Sequence, residues 1–211
     1  PMGWAFVKRR MQAELGPGWQ KKFDSFEHHP AAAASLGQVH RAHSHDGAEL
    51  ACKLQYADMQ SAVEADLRQL GLLFAIRRRF DPAIDTTEMI KEIGARMREE
   101  LDYRHEAKHA ALYRNMLADE ESVRVPKSWP ELSTGRLLTL DWLEGGRLLE
   151  HKDDTLAVRN RLAKAMFTAW WVPFSRFGVI HGDPHLGNYT VFTEKGKPAG
   201  INLLDYGGIR I

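Results

Sequence analysis

Three oxygen-bearing side chains constrain this 211-residue chain more than any other feature. Asp183 is followed five residues later by Asn188, and Asn188 seventeen residues later by Asp205. Between the last two, Tyr189 to Phe192 and Gly200 to Leu204 read as strands joined by a turn at Lys195-Gly196-Lys197-Pro198. The three groups therefore come in a fixed order: Asp183 and Asn188 within the loop His181-Gly182-Asp183-Pro184-His185-Leu186-Gly187-Asn188, then a short hairpin, then Asp205-Tyr206-Gly207.

The rest of the sequence supplies a scaffold with two kinds of element. Residues 1–27 read as two short amphipathic helices, interrupted at Gly16-Pro17-Gly18. Leu36 to Ala42 and Glu49 to Gln55 alternate on either side of Asp46-Gly47, a hairpin signal. Two long helices are expected from about Met59 to Phe80 and from about Thr86 to Leu117, separated at Pro82. Strands follow at Val123 to Val125 and Leu137 to Leu143, and then a helix from about Thr155 to Phe177, bent at Pro173. Strands first, then a helix, then a hairpin make the class α+β. A net charge of +1 lacks the basic excess of a nucleic-acid binder, so no nucleic-acid partner is expected. With 44% hydrophobic and 27% charged residues the composition is that of a folded, soluble domain. The lone Cys52 rules out an internal disulfide and a four-thiolate metal site, which fits a reducing, cytoplasmic setting. No apolar run is long enough to span a bilayer, and no signal peptide is visible. The chain opens Pro1-Met2-Gly3, which suggests a fragment.

The carboxylate and amide spacing suits one chemistry in particular. Phosphoryl transfer from a nucleotide needs an acid beside the acceptor hydroxyl and oxygen ligands for magnesium on the phosphates. Asp183 would be the base, with Asn188 and Asp205 as metal ligands. A competing reading makes His181, Asp183 and His185 a three-donor metal loop. Upstream, Lys53 lies on the second hairpin strand, where a phosphate-pairing lysine would lie. Ala32-Ala33-Ala34-Ser35 precedes it by eighteen to twenty-one residues, in the place of a phosphate-covering loop. Alanine is more restricted there than glycine, so the loop should grip phosphate differently. On the helix expected around residues 98–107, Asp102 and Glu106 share a face while Glu100 lies about 120° from Glu106. Glu106 is the better mate for Lys53. Each feature alone also has an ordinary explanation as a turn, cap or surface ion pair.

Taken together, these motifs resemble the UbiB/AarF/ADCK family of atypical kinase-like proteins, from about Phe23 to Gly207. Ala31 to Ala42 resembles its alanine-rich nucleotide loop and Cys52-Lys53-Leu54-Gln55-Tyr56 its strand-lysine motif. Glu100-Leu101-Asp102-Tyr103 with Glu106-Ala107 resembles its Glu-x-Asp signature and helix glutamate, and His181 to Asn188 its catalytic loop. Gly182, Leu186 and Tyr206 depart from the pattern without removing an oxygen ligand. The family's Lys-x-Gly-Gln motif has no match before Ala31, which would leave Glu100 facing water.

The resemblance implies a two-lobed protein-kinase-like fold with helical insertions in the upper lobe and a truncated lower lobe. The segments would be an N-terminal helical segment (1–29), an upper nucleotide-binding lobe (30–144) and a partial lower lobe (145–211). It also implies ATP or ADP with Mg2+ as cofactors, held by Ala32, Ala33, Ala34, Ser35, Lys53, Glu100 and Asp102. Glu144 would begin the hinge whose backbone meets the adenine. The activity would be that of an ATPase or phosphotransferase linked to ubiquinone or other isoprenoid-lipid metabolism, peripheral at the inner membrane, with isoprenoid lipid or a membrane surface as partner. The stunted lower lobe should expose an apolar helix face at Trp170 and Trp171. Two alternatives stand beside this one: a small-molecule kinase of the aminoglycoside or choline type, and a catalytically silent nucleotide-binding scaffold. Nothing in the sequence sets the oligomeric state.

Overall fold

A computed structural model describes residues 2–34, 36–80 and 87–211. It contains two sheets, as the α+β reading requires. The first, all antiparallel, has the order β1 (Ser25–Phe26), β3 (Gly37–His43), β4 (Glu49–Gln55), β6 (Leu137–Asp141), with β2 (Ala32–Ala33) also paired to β3. The second has the order β5 (Val123–Arg124), β9 (Lys197–Leu203), β8 (Tyr189–Glu194), β7 (Gly146–Arg147). Residues 142–145 are the link between β6 of the first sheet and β7 of the second.

The β3–β4 hairpin forms where Asp46-Gly47 foretells it, with Gly47 at φ +85°. Its period-two alternation decides the site. Leu50, Cys52 and Leu54 turn into a core with Val7, Met11, Trp19 and Phe23, which leaves Lys53 on the other face of β4. That core is capped by α1 (Trp4–Leu15), so residues 2–26 belong to the first sheet's layer rather than to a separate segment. A second amphipathic helix does not form there. Gly16 and Gly18 adopt positive φ and end α1, a single 3-10 turn follows at Trp19–Lys22, and Phe23 and Phe26 join an aromatic cluster with Trp19.

The long helices are α2 (Met59–Phe80), α3 (Thr87–Glu100), α4 (Tyr103–Met116) and α5 (Leu156–Phe177). The expected 86–117 helix is two helices, because Asp102 takes an extended conformation and its carboxylate accepts from the Arg104 N–H, capping α4. The expected separator Pro82 lies outside the described residues. The larger core joins α4 (Tyr103, Ala110, Tyr113), α5 (Leu162, Ala165, Ala169, Val172) and the second sheet (Val191, Ile201, Leu203). β5 pairs in parallel with β9, so the stretch expected to be an upper lobe (30–144) contributes a strand to the lower sheet. Helix α5 continues through Pro173 to a Gly178 cap at φ +71°. As expected, it exposes Trp170 and Trp171, flanked by exposed Phe167, Phe174 and Phe177. Among the described residues no helix is long and apolar enough to cross a membrane.

Candidate active site: a charged cleft between the two sheets

A cleft of about 910 Å³ is walled by Ala32, Ala33 and Ala34 from the first sheet and by the loops that flank β8 and β9 in the second. Lys53 reaches it from β4, Glu106 from the first turn of α4, and Asp205 from the end of β9. Lys53 Nζ donates to both Glu106 oxygens at 2.8 and 2.9 Å and to Asp205 Oδ2 at 3.1 Å. A residue of the upper sheet and one 152 positions later therefore share one ion-pair cluster.

Burial shapes its electrostatics. For Lys53 burial disfavours the charge, but Glu106 and then Asp205 outweigh it and hold the ammonium above the usual lysine range. Burial raises Glu106, and Lys53 offsets only part of that rise. Burial also pushes Asp205 up, yet Lys53 and the Gly207 N–H prevail, keeping it below the usual carboxylate range. The cluster is thus a charged lysine between one deeply buried and one partly exposed carboxylate, with side-chain exposures of 6% for Glu106 and 28% for Asp205.

Asp183 and Asn188 line the same cleft. Asn188 Nδ2 donates to Asp183 Oδ2 at 2.8 Å, and the His185 N–H donates to Asp183 Oδ1 at 3.3 Å. With its NH2 turned to Asp183, Asn188 keeps its amide oxygen as the acceptor end. The loop is pinned from behind. His181 Nε2 bonds the Asp205 carbonyl at 2.8 Å, and Tyr206 is fully buried with its hydroxyl donating to the Leu203 carbonyl at 2.6 Å. Gly182 sits at φ +70°, where a Cβ would lie 2.2 Å from the Gly208 carbonyl oxygen, so glycine at this departure from the family pattern is what this backbone requires.

The roof is a tight hairpin. Ala34 N–H donates to Gly37 O at 2.8 Å, and a Cβ on Gly37 would lie 2.3 Å from the Leu54 carbonyl oxygen. Ala32 and Ala33 pair with Val39 and Gln38, so this part of the alanine run is a strand edge. Ser35 lies outside the described residues.

Asp102, Glu100 and Glu144 each sit in a distinct setting. Asp102 is not among the residues that line the cleft; its Oδ1 accepts from the Arg104 N–H and caps α4. The break at Asp102 also places Glu100 on α3 and Glu106 on α4, so no helical-wheel angle relates them, although both line the cleft and Glu100 is exposed as expected. Glu144 does lie in the link between the sheets, but its carbonyl accepts from Asn202 Nδ2 at 3.0 Å and its carboxylate accepts from Trp142 Nε1 at 2.9 Å. Its side chain is 76% exposed, and Glu144 is not among the residues that line the cleft. The rival metal loop also fails: among the described residues no group of His, Cys, Asp and Glu is arranged to hold a metal ion, and His181 Nε2 is committed to backbone.

Sequence reasoning passed over Tyr103 and Arg210, which also line the cleft. Tyr103 had a usable signal, standing three residues before Glu106 on one helix face. Arg210 had none, since only the bridge of its backbone to Ile180 carries it there.

Known proteins resemble this chain in sequence and in fold. The chain is 27% identical over 204 residues to atypical kinase COQ8, mitochondrial, of Saccharomyces cerevisiae, covering 97% of this chain and 40% of that one. It is 33% identical to the chloroplastic protein Activity of BC1 complex kinase 7 of Arabidopsis thaliana, covering 90% of this chain and 28% of that one. Against rat COQ8B, another mitochondrial atypical kinase, it is 30% identical, covering 98% and 38%. The chain thus spans well under half the length of these relatives. Among solved structures, Rv3197 of Mycobacterium tuberculosis, determined in complex with erythromycin, matches all of this chain and 52% of its own with a TM-score of 0.88 at 28% identity. The Rio2 kinase of Chaetomium thermophilum, determined with ADP, Mg2+ and phosphoaspartate, shares the fold at a TM-score of 0.52 and 11% identity. The fold is therefore kinase-like, and the ABC1 atypical kinase-like domain matches residues 1–210: this chain belongs to that family.

Proposed function

We propose that this chain binds an adenine nucleotide with magnesium in the cleft and catalyses ATP hydrolysis or phosphoryl transfer. The observation that carries the reading is the bonding of Lys53 to both Glu106 and Asp205 across the cleft from the Asp183–Asn188 pair. Buried titratable groups shifted by a specific charge partner and gathered in a cleft are the mark of a functional-site candidate. The residues fit the group. Lys53 and the hairpin of Ala32, Ala33 and Ala34 would face the phosphates, while Asn188 Oδ1 and Asp205 offer hard oxygen donors suited to magnesium. When bound, the nucleotide supplies the transferable phosphoryl group and magnesium neutralises its charge.

The chain's own residues then have separate tasks. Glu106 keeps the Lys53 ammonium aimed into the cleft, and Asp205 is positioned to exchange Lys53 for a cation because it is the more exposed of the two acids. Asp183, oriented by Asn188 and the His185 N–H, is the group to take a proton from a water or acceptor hydroxyl. The match to the ABC1 atypical kinase-like domain supports this reading over the aminoglycoside- or choline-kinase alternative. The resemblance to the ubiquinone-linked family supports isoprenoid-lipid metabolism, at a membrane surface, as the setting.

Thermal unfolding with and without Mg-ADP tests binding, and an equal melting temperature in both would count against it. Loss of nucleotide hydrolysis on Asp183→Asn with binding retained would establish a catalyst, whereas unchanged hydrolysis would sink the role given to Asp183.

A further inference from the structure

Among the described residues that line the cleft, one side chain carries a buried polar atom without a partner. Tyr103 is 1% exposed and lines the cavity, yet its hydroxyl makes no hydrogen bond. Its ring lies 5.2 Å from Lys53 Nζ, and its position on α4 is three residues before Glu106. The hydroxyl lies 3.1 Å from where a Cβ on Gly37 would be, directly under the base of the alanine hairpin that roofs the cleft. A buried hydroxyl left unpaired is costly, and native proteins rarely keep one unless a ligand or water completes it. The same helix end is held firmly: the Tyr103 N–H donates to the Gly135 carbonyl at 3.0 Å, and the neighbouring Leu101 carbonyl accepts from Gln55 Nε2 at 3.0 Å. The phenol is therefore held rigidly in place without any need of its own hydroxyl.

We infer that Tyr103 is a ligand-binding residue of this cleft, its hydroxyl donating to a phosphate oxygen of the bound nucleotide beside Lys53. The inference rests on the nucleotide reading above and adds to it a neutral donor on the α4 side, opposite the Asp183 loop. Oxyanions are the ligand class this donor serves: burial holds the phenol proton well above the ordinary tyrosine range, so the group donates and is not itself an anion.

The test compares the 211-residue chain with Tyr103→Phe, measuring dissociation constants for Mg-ADP and for adenosine by calorimetry. The phenylalanine keeps the ring over Lys53 and removes only the orphan donor. Mg-ADP should bind about tenfold more weakly to the variant, with adenosine affinity unchanged and the ligand-free melting temperature equal or higher. Equal Mg-ADP affinity in the two proteins overturns the assignment while leaving nucleotide binding intact. An equal loss for both ligands overturns it too, since the hydroxyl would then act through the fold and not on phosphate. A lower ligand-free melting temperature would show that the hydroxyl already has a partner. Failure of the unmodified chain to bind Mg-ADP removes both readings together.

Discussion

Replacing Lys53 by methionine isolates the electrostatics of the cleft. The side chain is close in length and its apolar stem still fills the space beneath Tyr103, but the ammonium that contacts Glu106 at 2.8 Å and Asp205 at 3.1 Å is gone. Glu106, 5% exposed, is then a buried carboxylate without a counter-charge, and breaking such a pair costs about 3 kcal/mol or more. For a chain of this size that is a fall of roughly 6–12 °C in melting temperature near neutral pH. The loss depends on pH in a definite direction. The folded-state pKa of Glu106 already lies above its unfolded value and rises further without Lys53, so the folded form takes up a proton first as pH falls. The deficit of Lys53→Met should therefore be largest near about pH 8 and shrink toward about pH 5, as Glu106 becomes neutral. Adding Glu106→Gln to the methionine variant removes the stranded charge and should restore most of the stability. Circular dichroism melts of the four proteins of that cycle at both pH values provide the measurement. A methionine variant within about 1 °C of the parent at the higher pH, or a double variant less stable than the single, would refute the linkage described here.

Other consequences are simpler to check. Gly182→Ala places a Cβ 2.2 Å from the Gly208 carbonyl at a residue with φ +70°, so the loop carrying Asp183 must shift. Nucleotide hydrolysis should fall at least tenfold while Asp102→Ala, a cap change on the same scale of size, should leave it near the parent rate. Asp102→Ala should instead lower the melting temperature by roughly 2–4 °C, about 1 kcal/mol of lost α4 capping, and no change would show that the Arg104 bond contributes nothing. Cys52 is fully buried and its thiol is pushed up to about 12 by that burial, so native protein should resist iodoacetamide near pH 8 and react fully only on unfolding. Labelling of the native chain at the unfolded rate would contradict the packing of β4.

Much of the site was legible before any coordinates because its parts sit at short, rigid separations. Asp183 and Asn188 share one loop, a hairpin returns Asp205 to it, and period-two alternation on β4 alone puts Lys53 opposite Leu54 and Cys52. Those are local rules, and local rules survive folding. The partnership of Lys53 with Glu106 was also readable, although from the pattern of the motifs and not from distance.

What escaped the sequence depends on competition between neighbours far apart in the chain. Whether residues 86–117 form one helix or two turns on whether Asp102 spends its carboxylate on a cap, and that choice is settled by Tyr103 meeting the Gly135 carbonyl and Leu101 meeting Gln55. The commitment of the Glu144 carbonyl to Asn202 needs β9 to lie beside the link at 142–145, which no local pattern announces. The sequence by itself therefore determined which groups this protein can bring to the cleft, since spacing within a loop or strand sets their faces. Only the tertiary structure decided which of them remain free to do so, because hydrogen-bonding capacity is finite and distant backbone claims part of it.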